Sequence, residues 1–366
     1  MQTTPAPSAA ASDLPIAQPA LAGSVPDDRL CLDSVIERLV ETAPTVRALR
    51  THRLHLAAAR VWRSQGRNVP ADLVSDVRAA AIRAMLARFL LGKARSAYDG
   101  ALMLMKGPEV AARYPVPSDH PFRDLDLLVE DPVAAQRALI AAGFVECGDP
   151  AAYVNAQHLA PLMWPGAPLV VEVHRRPSLP FWLARVSAET VLRTAVPSAT
   201  GVPGVVAPEP AAHAVLVVAH AWTHGALASA GHLLDAAALL ASADRRRAGA
   251  FARAWGWEGM WNTTLGVIDA VTGAKRGNPA LMLWARHLRD VRERVVLENH
   301  ISRLAAPVWS LPVRELPYAI TSALRDTTAP GPDENWMTQL RRSRLAITHP
   351  FRPLSDHEQR LLGPSR

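Results

Sequence analysis

Two aspartates on alternate residues of one apolar segment are the side chains of this chain best suited to chemistry. Asp124 and Asp126 lie within residues 123–129, an Arg-Asp-Leu-Asp-Leu-Leu-Val segment that is typical of a buried strand. Because side chains alternate across a strand, both carboxylates face one way and the leucines next to them face a core. Such a pair repels itself and costs desolvation energy unless a cation lies between the two groups. Oxygen ligands of this kind favour Mg²⁺ or Mn²⁺ over zinc.

A third carboxylate occurs on a later segment that is rich in β-branched residues. Residues 158–164 and 169–174 flank a Pro-Gly-Ala turn sequence, which predicts a β-hairpin. In the second arm, alternation places Glu172 and His174 on one face and two valines on the other. His158, on the first arm, could face the same site.

A glycine turn precedes the two aspartates. Residues 101–105 form a short apolar run, which predicts a strand that ends at Lys106 and Gly107 and is followed by a helix through residue 114. Backbone N–H groups at such a turn and at the start of the next helix can hold phosphate oxygens. Only three of the 40 basic residues are lysines, so a lysine at this place indicates a use for its compact ammonium group.

Together these residues suit phosphoryl or nucleotidyl transfer. Carboxylates can hold one or two Mg²⁺ ions that brace the attacking and leaving oxygens, and a nearby cation neutralises charge on the phosphates. The candidate catalytic residues and metal ligands are Asp124, Asp126 and Glu172. The candidate nucleotide-binding residues are Lys106, Gly107 and Arg123.

The elements that must position these residues divide the chain into predicted domains. Residues 1–28 contain no Lys or Arg and are a predicted disordered tail, and residues 29–98 are a helical subdomain. A core of mixed strands and helices spans residues 99–196, with a strand at 124–130, a helix at 132–142 and a strand from 144 onwards. After a Pro/Gly-rich connector at 197–210, a helical domain covers 211–350 and a tail covers 351–366. The predicted helices of that domain are 211–224, 232–243, 251–257, 261–272, 280–300 and 337–348.

The composition predicts a folded globular protein and excludes other classes. With 366 residues, 49% of them hydrophobic, and no repeats, the chain can bury a large core. No stretch approaches the roughly 20 apolar residues of a membrane helix. Two distant cysteines, Cys31 and Cys147, give no disulfide framework and predict a cytoplasmic protein. The net charge of +7 comes from dispersed arginines, so a nucleic-acid acceptor is possible but not indicated.

The motifs resemble a known family. Those that carry the resemblance are Lys106-Gly107, Tyr114-Pro115, residues 123–129, Gly143-Phe144 and residues 171–174. They resemble the uncharacterised nucleotidyltransferase branch of the DNA polymerase beta-like superfamily. The later stretch His220-Ala221-Trp222-Thr223-His224, with residues 233–237, is similar to the helical half of that branch. The resemblance covers roughly residues 100–245.

The resemblance implies an α+β fold with a small mixed sheet flanked by helices. It also implies Mg²⁺-dependent use of a nucleoside triphosphate such as ATP, whose nucleotide passes to a hydroxyl of an unidentified acceptor, either a small molecule, a peptide, a protein or an RNA. Glu172 would then share a metal with the aspartates and help to deprotonate the acceptor. His158, His174 and His224 would be acceptor-binding or supporting residues.

One position departs from the pattern of the superfamily. The superfamily usually has Gly-Gly or Gly-Ser at the phosphate turn, whereas this chain has Lys106-Gly107-Pro108. Pro108 has no backbone N–H and so removes one donor to phosphate. Phosphoryl transfer at the same site, or an inactive scaffold that binds a peptide, protein or RNA, therefore stays an alternative.

Structural roles are also open for several of these residues. The aspartates could form an exposed strand end paired with Arg123, Glu172 and His174 could form an edge ion pair with Arg175 or Arg176, and Lys106 could extend into solvent.

The histidines of the later helical stretch have an alternative role as well. His213, His220 and His224 have helical spacing without the His-Glu-x-x-His pattern of zinc sites. We expect them to pack between helices with Asp235 as a buried hydrogen-bond partner.

Overall fold

The computed structural model describes residues 28–273, 278–311, 315–317, 320–321, 330 and 335–354. The predicted tails lie outside the described residues, apart from Asp28 at one end and residues 351–354 at the other. The fold is α+β, as predicted, with helices on both sides of a seven-stranded mixed sheet. In the described part of the chain, no helix is both long enough and apolar enough to cross a membrane.

The N-terminal part is helical, as the sequence predicts. It contains α1 (Asp28–Thr42), α2 (Val46–Thr51), α3 (His55–Ser64) and α4 (Ala71–Ala97). Thr45 caps the start of helix α2, because its hydroxyl accepts a hydrogen bond from the amide of Ala48 and so satisfies one free N–H of the first turn. Helices α1 and α4 both pack against α3.

The sheet supplies the frame for the candidate site. Its strands are β1 (Met103–Leu104), β2 (Asp124–Leu128), β3 (Val145–Glu146), β4 (Leu162–Met163), β5 (Val170–His174), β6 (Ala195–Pro197) and β7 (Val206–Pro208). Their order in space is β3-β4-β5-β2-β1-β7-β6. Strand β2 runs parallel to β5, and β1 runs parallel to β7, while the other neighbours are antiparallel. The antiparallel pairing of β4 with β5 confirms the predicted hairpin.

Short helices connect the strands. They are α5 (Pro108–Ala111), α6 (Pro132–Ala141), α7 (Ala188–Leu192) and two 3₁₀ helices, Pro117–Asp119 and Pro150–Tyr153. Helix α6 begins as the sequence predicts, because the carboxylate of Asp131 accepts hydrogen bonds from the amides of Val133 and Ala134 while proline occupies the first turn.

The C-terminal part is helical. It comprises α8 (Pro210–Thr223), α9 (Ala230–Leu240), α10 (Arg245–Ala254), α11 (Glu258–Thr272), α12 (Pro279–Leu283), the 3₁₀ helix Arg286–Leu288, α13 (Val296–Ser310) and a last described helix, Trp336–Thr348. Helices α8 and α9 make the most extensive contact between two elements in the described fold. Five buried tryptophans of the described residues anchor the core of this part: Trp222, Trp255, Trp257, Trp261 and Trp284.

Two hydrophobic cores lie on opposite faces of the sheet. One contains Leu125 and Leu127 of β2 together with residues of α4 and α6, so these leucines face a core as predicted. The other contains Leu128 of β2, Met103 of β1 and the buried faces of α1, α3 and α8 to α11. Because alternate residues point to opposite faces, Asp124 and Asp126 lie on the face that the C-terminal helices cover.

Two predicted elements are wrong. The single helix expected at 280–300 is interrupted, because α12 ends at Leu283 and α13 begins at Val296. Between them Val291 takes a φ of 42°, and Arg294 turns inward to donate hydrogen bonds to the carbonyls of Ala226 and Leu227. The helix expected at 251–257 is α10 instead, which begins after the capping residue Asp244 and ends at Ala254.

Two strands were not predicted. Strand β7 lies inside the predicted connector and β6 ends at its first residue, Pro197. They pair with each other, and β7 pairs with β1 next to the site. The Pro/Gly-rich segment therefore widens the sheet.

Candidate functional site

The parallel pairing of β2 and β5 brings the predicted carboxylates together. Asp126 lies directly opposite Glu172, and Asp124 lies opposite Val170. Paired residues of neighbouring strands share a face, so Asp124, Asp126 and Glu172 stand on one side of the sheet. His174, two residues beyond Glu172, joins them on that side.

Asp126 is the most enclosed of these carboxylates, with 1% of its surface exposed. Its Oδ1 atom lies 3.0 Å from Lys106 Nζ and 2.9 Å from Nε2 of His174, which donates to it. Its Oδ2 atom is buried and has no hydrogen-bond partner among the described residues. The positive charge that the sequence analysis assigned to a metal is therefore supplied in part by Lys106 and His174.

Two histidines surround Glu172. His158 Nε2 and His174 Nε2 each lie 3.5 Å from Oε2 of Glu172, longer than an ordinary hydrogen bond. The two imidazole rings are 5.3 Å apart, because residues 158 and 174 pair across an isolated antiparallel bridge. Both predicted histidines of the hairpin thus face the carboxylates.

The charges of the site shift its pKa values in opposite directions. Burial, and next the charge of Asp126, raise the pKa of Asp124 to about 6. Burial opposes ionisation of Asp126 as well, but Lys106 and His174 outweigh it and hold the pKa of Asp126 well below its usual range. Burial would lower the pKa of His174, yet its hydrogen bond to Asp126 and its contact with the charge of Glu172 raise it to about 9. The site is thus a tightly coupled set of charges.

Gly107 has the backbone conformation that the sequence predicts for this turn. Its φ is 61°, and a Cβ atom at this position would lie 2.9 Å from the carbonyl oxygen of Asp124. A side chain would therefore strain the turn and collide with β2. Glycine is needed to place Lys106 directly beside Asp126.

Lys106 also contacts helix α8. Its Nζ atom lies 2.9 Å from Nε2 of His220, and His224 Nε2 lies 3.1 Å from the same His220 nitrogen. His220 was expected to be a packing residue, so its contact with Lys106 is a correction. His224, a candidate acceptor residue, is exposed and lies one contact away from Lys106.

The two arginines near β2 lie in different surroundings. Arg123 is exposed. Burial lowers the pKa of Arg83 on α4, and the positive charge of Arg123 lowers it further. Helix α4 covers the face of the sheet opposite the carboxylates. Arg53 was missed by the sequence analysis. It has a φ of 60° and donates to the carbonyl of Pro121, and its positive charge partly offsets the rise in the pKa of Asp124.

The structural roles weighed for the later histidines need correction. Asp235 is buried, but its partners are Tyr114, whose hydroxyl donates to it at 2.5 Å, and His120, whose Nε2 lies 3.1 Å away. His213 bonds instead to the carbonyl of Met105. These contacts join the segment between β1 and β2 to helices α8 and α9.

A second buried carboxylate lies just beyond the glycine turn and was not predicted. Glu109 of α5 is fully enclosed, and its Oε1 accepts from Arg113 at 2.9 Å. Its Oε2 accepts from the hydroxyl of Ser198 at 2.6 Å and from the amide of Ala199 at 2.8 Å. Glu109 therefore ties α5 to the turn between β6 and β7.

The donor set at Asp126 fits a divalent cation. Asp126, Glu172 and His174 offer ligand atoms that all lie within 4.8 Å of one another. The unpartnered Oδ2 of Asp126 is the atom that a cation would satisfy, since a buried carboxylate oxygen without a partner is costly. This group differs from the predicted ligand set, because it contains His174 in place of Asp124.

Comparison with known proteins identifies the family. The family described as uncharacterised nucleotidyltransferase matches residues 39–272, which is more than half of the chain. The chain therefore belongs to this family, and the predicted resemblance is confirmed. No curated protein and no solved structure matched the chain.

Proposed function

We propose that this member of the uncharacterised nucleotidyltransferase family uses Mg²⁺ or Mn²⁺ to move a nucleoside monophosphate from a nucleoside triphosphate to a hydroxyl of an acceptor. One observation carries the proposal. Asp124 and Asp126 share a face of β2 with Glu172 of β5, and Oδ2 of Asp126 is buried without a partner in the described part of the chain. That arrangement supports a cation site rather than an exposed strand end.

The roles of the carboxylates follow from their positions. Asp124, Asp126 and Glu172 would hold the divalent ions, which supply electrostatic stabilisation to the reacting phosphate when bound. Glu172 would receive the proton of the acceptor hydroxyl. The acceptor oxygen then forms a bond to the α-phosphorus while the bond from that phosphorus to the bridging oxygen breaks, and pyrophosphate leaves.

Side chains rather than backbone amides would carry the contacts to the triphosphate. Helix α5 is a single turn, Pro108 has no N–H, and the amide of Glu109 bonds to the carbonyl of Lys106. The ammonium of Lys106, held at Gly107, is therefore our main candidate for neutralising phosphate charge. Arg123 stays a predicted phosphate contact.

The acceptor would enter on the side of the helical half. His158, His174 and His224 are the proposed acceptor-binding or supporting residues, since two of them surround Glu172 and the third lies beside His220. A nucleic-acid acceptor is not indicated. The proposal includes a cytoplasmic location, because the sequence has only two cysteines.

Transfer of labelled nucleotide tests the proposal. Wild type, Asp126→Asn and the exposed control Asp99→Asn would be incubated with each NTP, Mg²⁺ and candidate acceptors, with label on the α- or γ-phosphate. We expect α-label on an acceptor with wild type and Asp99→Asn only. Acceptor labelled from the γ-phosphate would replace nucleotidyl transfer with phosphoryl transfer.

A binding measurement keeps the test independent of the acceptor. An NTP at 100 times its dissociation constant should stabilise the folded protein by about 2.7 kcal/mol, which thermal unfolding detects. We expect this shift in wild type with Mg²⁺ and its loss in the Asp124→Asn/Asp126→Asn double variant. Absence of any shift with every NTP would instead support an inactive scaffold that binds a macromolecular partner.

A further inference from the structure

We infer that the end of the site around Glu172 is a transition-metal position, in which imidazole nitrogens of His158 and His174 join the carboxylates of Glu172 and Asp126. The ion it selects is Mn²⁺ in preference to Mg²⁺. The inference rests on the proposed function and deepens it, because it names the class of divalent ion and adds ligands other than oxygen.

The tautomer of His158 is the first argument. Its Nδ1 lies 2.7 Å from the carbonyl oxygen of Leu159. A carbonyl only accepts, so Nδ1 carries the proton of this hydrogen bond. In the neutral ring, the lone pair of Nε2 then faces Oε2 of Glu172 at 3.5 Å. Metal-binding histidines in proteins are typically held in this way, with one nitrogen donating to a carbonyl and the other free for the ion.

The distances between the four side chains are the second argument. His174 Nε2 lies 2.9 Å from Asp126 Oδ1 and 3.5 Å from Glu172 Oε2, and the same 3.5 Å separates His158 from Glu172. Ligands about 2.1 Å from one ion are about 3.0 Å apart at right angles and about 3.4 Å apart at tetrahedral angles. The two separations from Oε2 of Glu172 match neighbouring ligands of one ion. Asp126, Glu172 and His174 offer ligand atoms within 4.8 Å of one another, and His158 adjoins this group at Glu172.

The unpartnered oxygen of Asp126 is the third argument. Lys106 and His174 both contact Oδ1, whereas Oδ2 is buried without a partner among the residues described. An ion bound through Oδ2 would leave the ion pair with Lys106 intact, and it would replace the proton that His174 Nε2 donates to Oδ1. Lys106 and the ion can therefore occupy the site together.

The mixture of nitrogen and oxygen ligands sets the selectivity. Mg²⁺ prefers oxygen ligands and keeps much of its water, whereas first-row transition ions accept imidazole. Mn²⁺ accepts imidazole while it retains a preference for carboxylate, so two histidines and two carboxylates suit it. The other end of the site, at Asp124, offers only carboxylate oxygen.

The ligands of bound Mn²⁺ can be identified directly by electron spin-echo spectroscopy of the wild-type protein. Coupling to directly bound imidazole nitrogen is the expected signal, and it needs neither an acceptor nor turnover. In calorimetry, His158→Gln and His174→Gln should each weaken Mn²⁺ binding at least about 10-fold. Their Mg²⁺ affinity should change less than about threefold. The matched control is His349→Gln, an exposed histidine far from the site in sequence, which should leave both affinities unchanged.

The outcomes separate this inference from the proposed function. Mn²⁺ bound without nitrogen coupling, or Mn²⁺ affinity unchanged in both histidine variants, would overturn the imidazole position. Nucleotidyl transfer could still proceed with oxygen-bound Mg²⁺ in that case, and the labelled-NTP assay would report it. Nitrogen coupling to Mn²⁺ without binding of any NTP would establish the metal position and overturn the proposed transferase activity.

Discussion

Two buried carboxylates on either side of the same glycine turn differ in what surrounds their oxygens. Glu109, just after Gly107, has both oxygens occupied by Arg113, Ser198 and Ala199. Asp126, against which the turn packs, has one oxygen shared by two cationic side chains, whereas the other is without a partner in the described chain. The two groups are almost equally buried.

We propose that the difference separates a structural carboxylate from a functional one. A buried charge contributes to a stable fold only when its hydrogen-bonding capacity is filled, as it is at Glu109. Asp126 has one carboxylate oxygen without a hydrogen-bond partner among the described residues. It also lies beside Asp124, and its negative charge helps to raise the pKa of Asp124. A protein selected for stability alone would fill such a position with an apolar residue. The unused oxygen therefore indicates a ligand.

The largest expected effect is the loss of nucleotidyl transfer when the charge of Asp126 is removed. Asp126→Asn keeps the size of the side chain but removes the charge that would hold the divalent ions. We expect nucleotidyl transfer to fall about 10³-fold, equivalent to about 4 kcal/mol of transition-state stabilisation. Initial rates with labelled NTP would measure it, and Asp99→Asn is the matched control.

Near-normal turnover by Asp126→Asn would show that this carboxylate is not part of the reaction. The variant should lose less stability than Glu109→Gln, because relief of the repulsion between Asp124 and Asp126 offsets part of the lost attraction to Lys106 and His174. A large loss of stability together with the loss of transfer would make Asp126 resemble Glu109 and would weaken the distinction between them.

The second largest expected effect is the loss of stability when the charge of Glu109 is removed. Glu109→Gln leaves Arg113 without its buried partner and replaces a charged acceptor of two hydrogen bonds by a neutral one. We expect the free energy of unfolding to fall by about 3 kcal/mol, with transfer per folded molecule unchanged. Urea unfolding of Glu109→Gln and of the exposed control Glu130→Gln would measure it. Equal stability of the two variants would contradict the structural role.

The sequence predicts the functional carboxylate but not the structural one, and the reason is physical. Asp126 belongs to a local pattern, because strand alternation alone places it with Asp124 and opposite Glu172 once the strands pair. Glu109 lies in a helix of one turn, and its partner Ala199 is 90 residues away. Only the folded chain joins these two segments.

Contacts between distant segments also explain the other errors in the predicted fold. Strands β6 and β7 have three residues each and contain prolines, so their local sequence favours turns. They are strands because β7 pairs with β1 and β6 pairs with β7. The break in the predicted helix 280–300 depends on Arg294, whose hydrogen bonds to residues 226 and 227 no local pattern contains. Strongly periodic elements such as α8 and α11 were predicted nearly to their ends.

The pKa values of buried histidines also differ between the candidate site and the helical parts. At the site, carboxylates raise the pKa of His174 against the effect of burial. In the N-terminal part, burial lowers the pKa of His52 to about 4. The Nδ1 atom of His52 accepts from the amide of Ala230 at 3.1 Å, and its Nε2 donates to the carbonyl of Arg292 at 2.7 Å. Both bonds require the neutral ring, which therefore links the N-terminal helices to the C-terminal ones.

The smallest expected effect is the pH dependence that this neutral histidine adds to stability. Because the pKa of His52 is about 4 in the folded protein and about 6.5 when unfolded, the unfolded chain binds a proton first on acidification. Its contribution is complete above about pH 6.5 and is lost progressively as the pH falls toward 4. Between pH 8 and pH 5 wild type should lose about 2 kcal/mol more than His52→Gln. Urea unfolding at both pH values measures this difference, in which the variant's own loss of stability cancels, and equal losses in the two proteins would show that His52 is not the linked group.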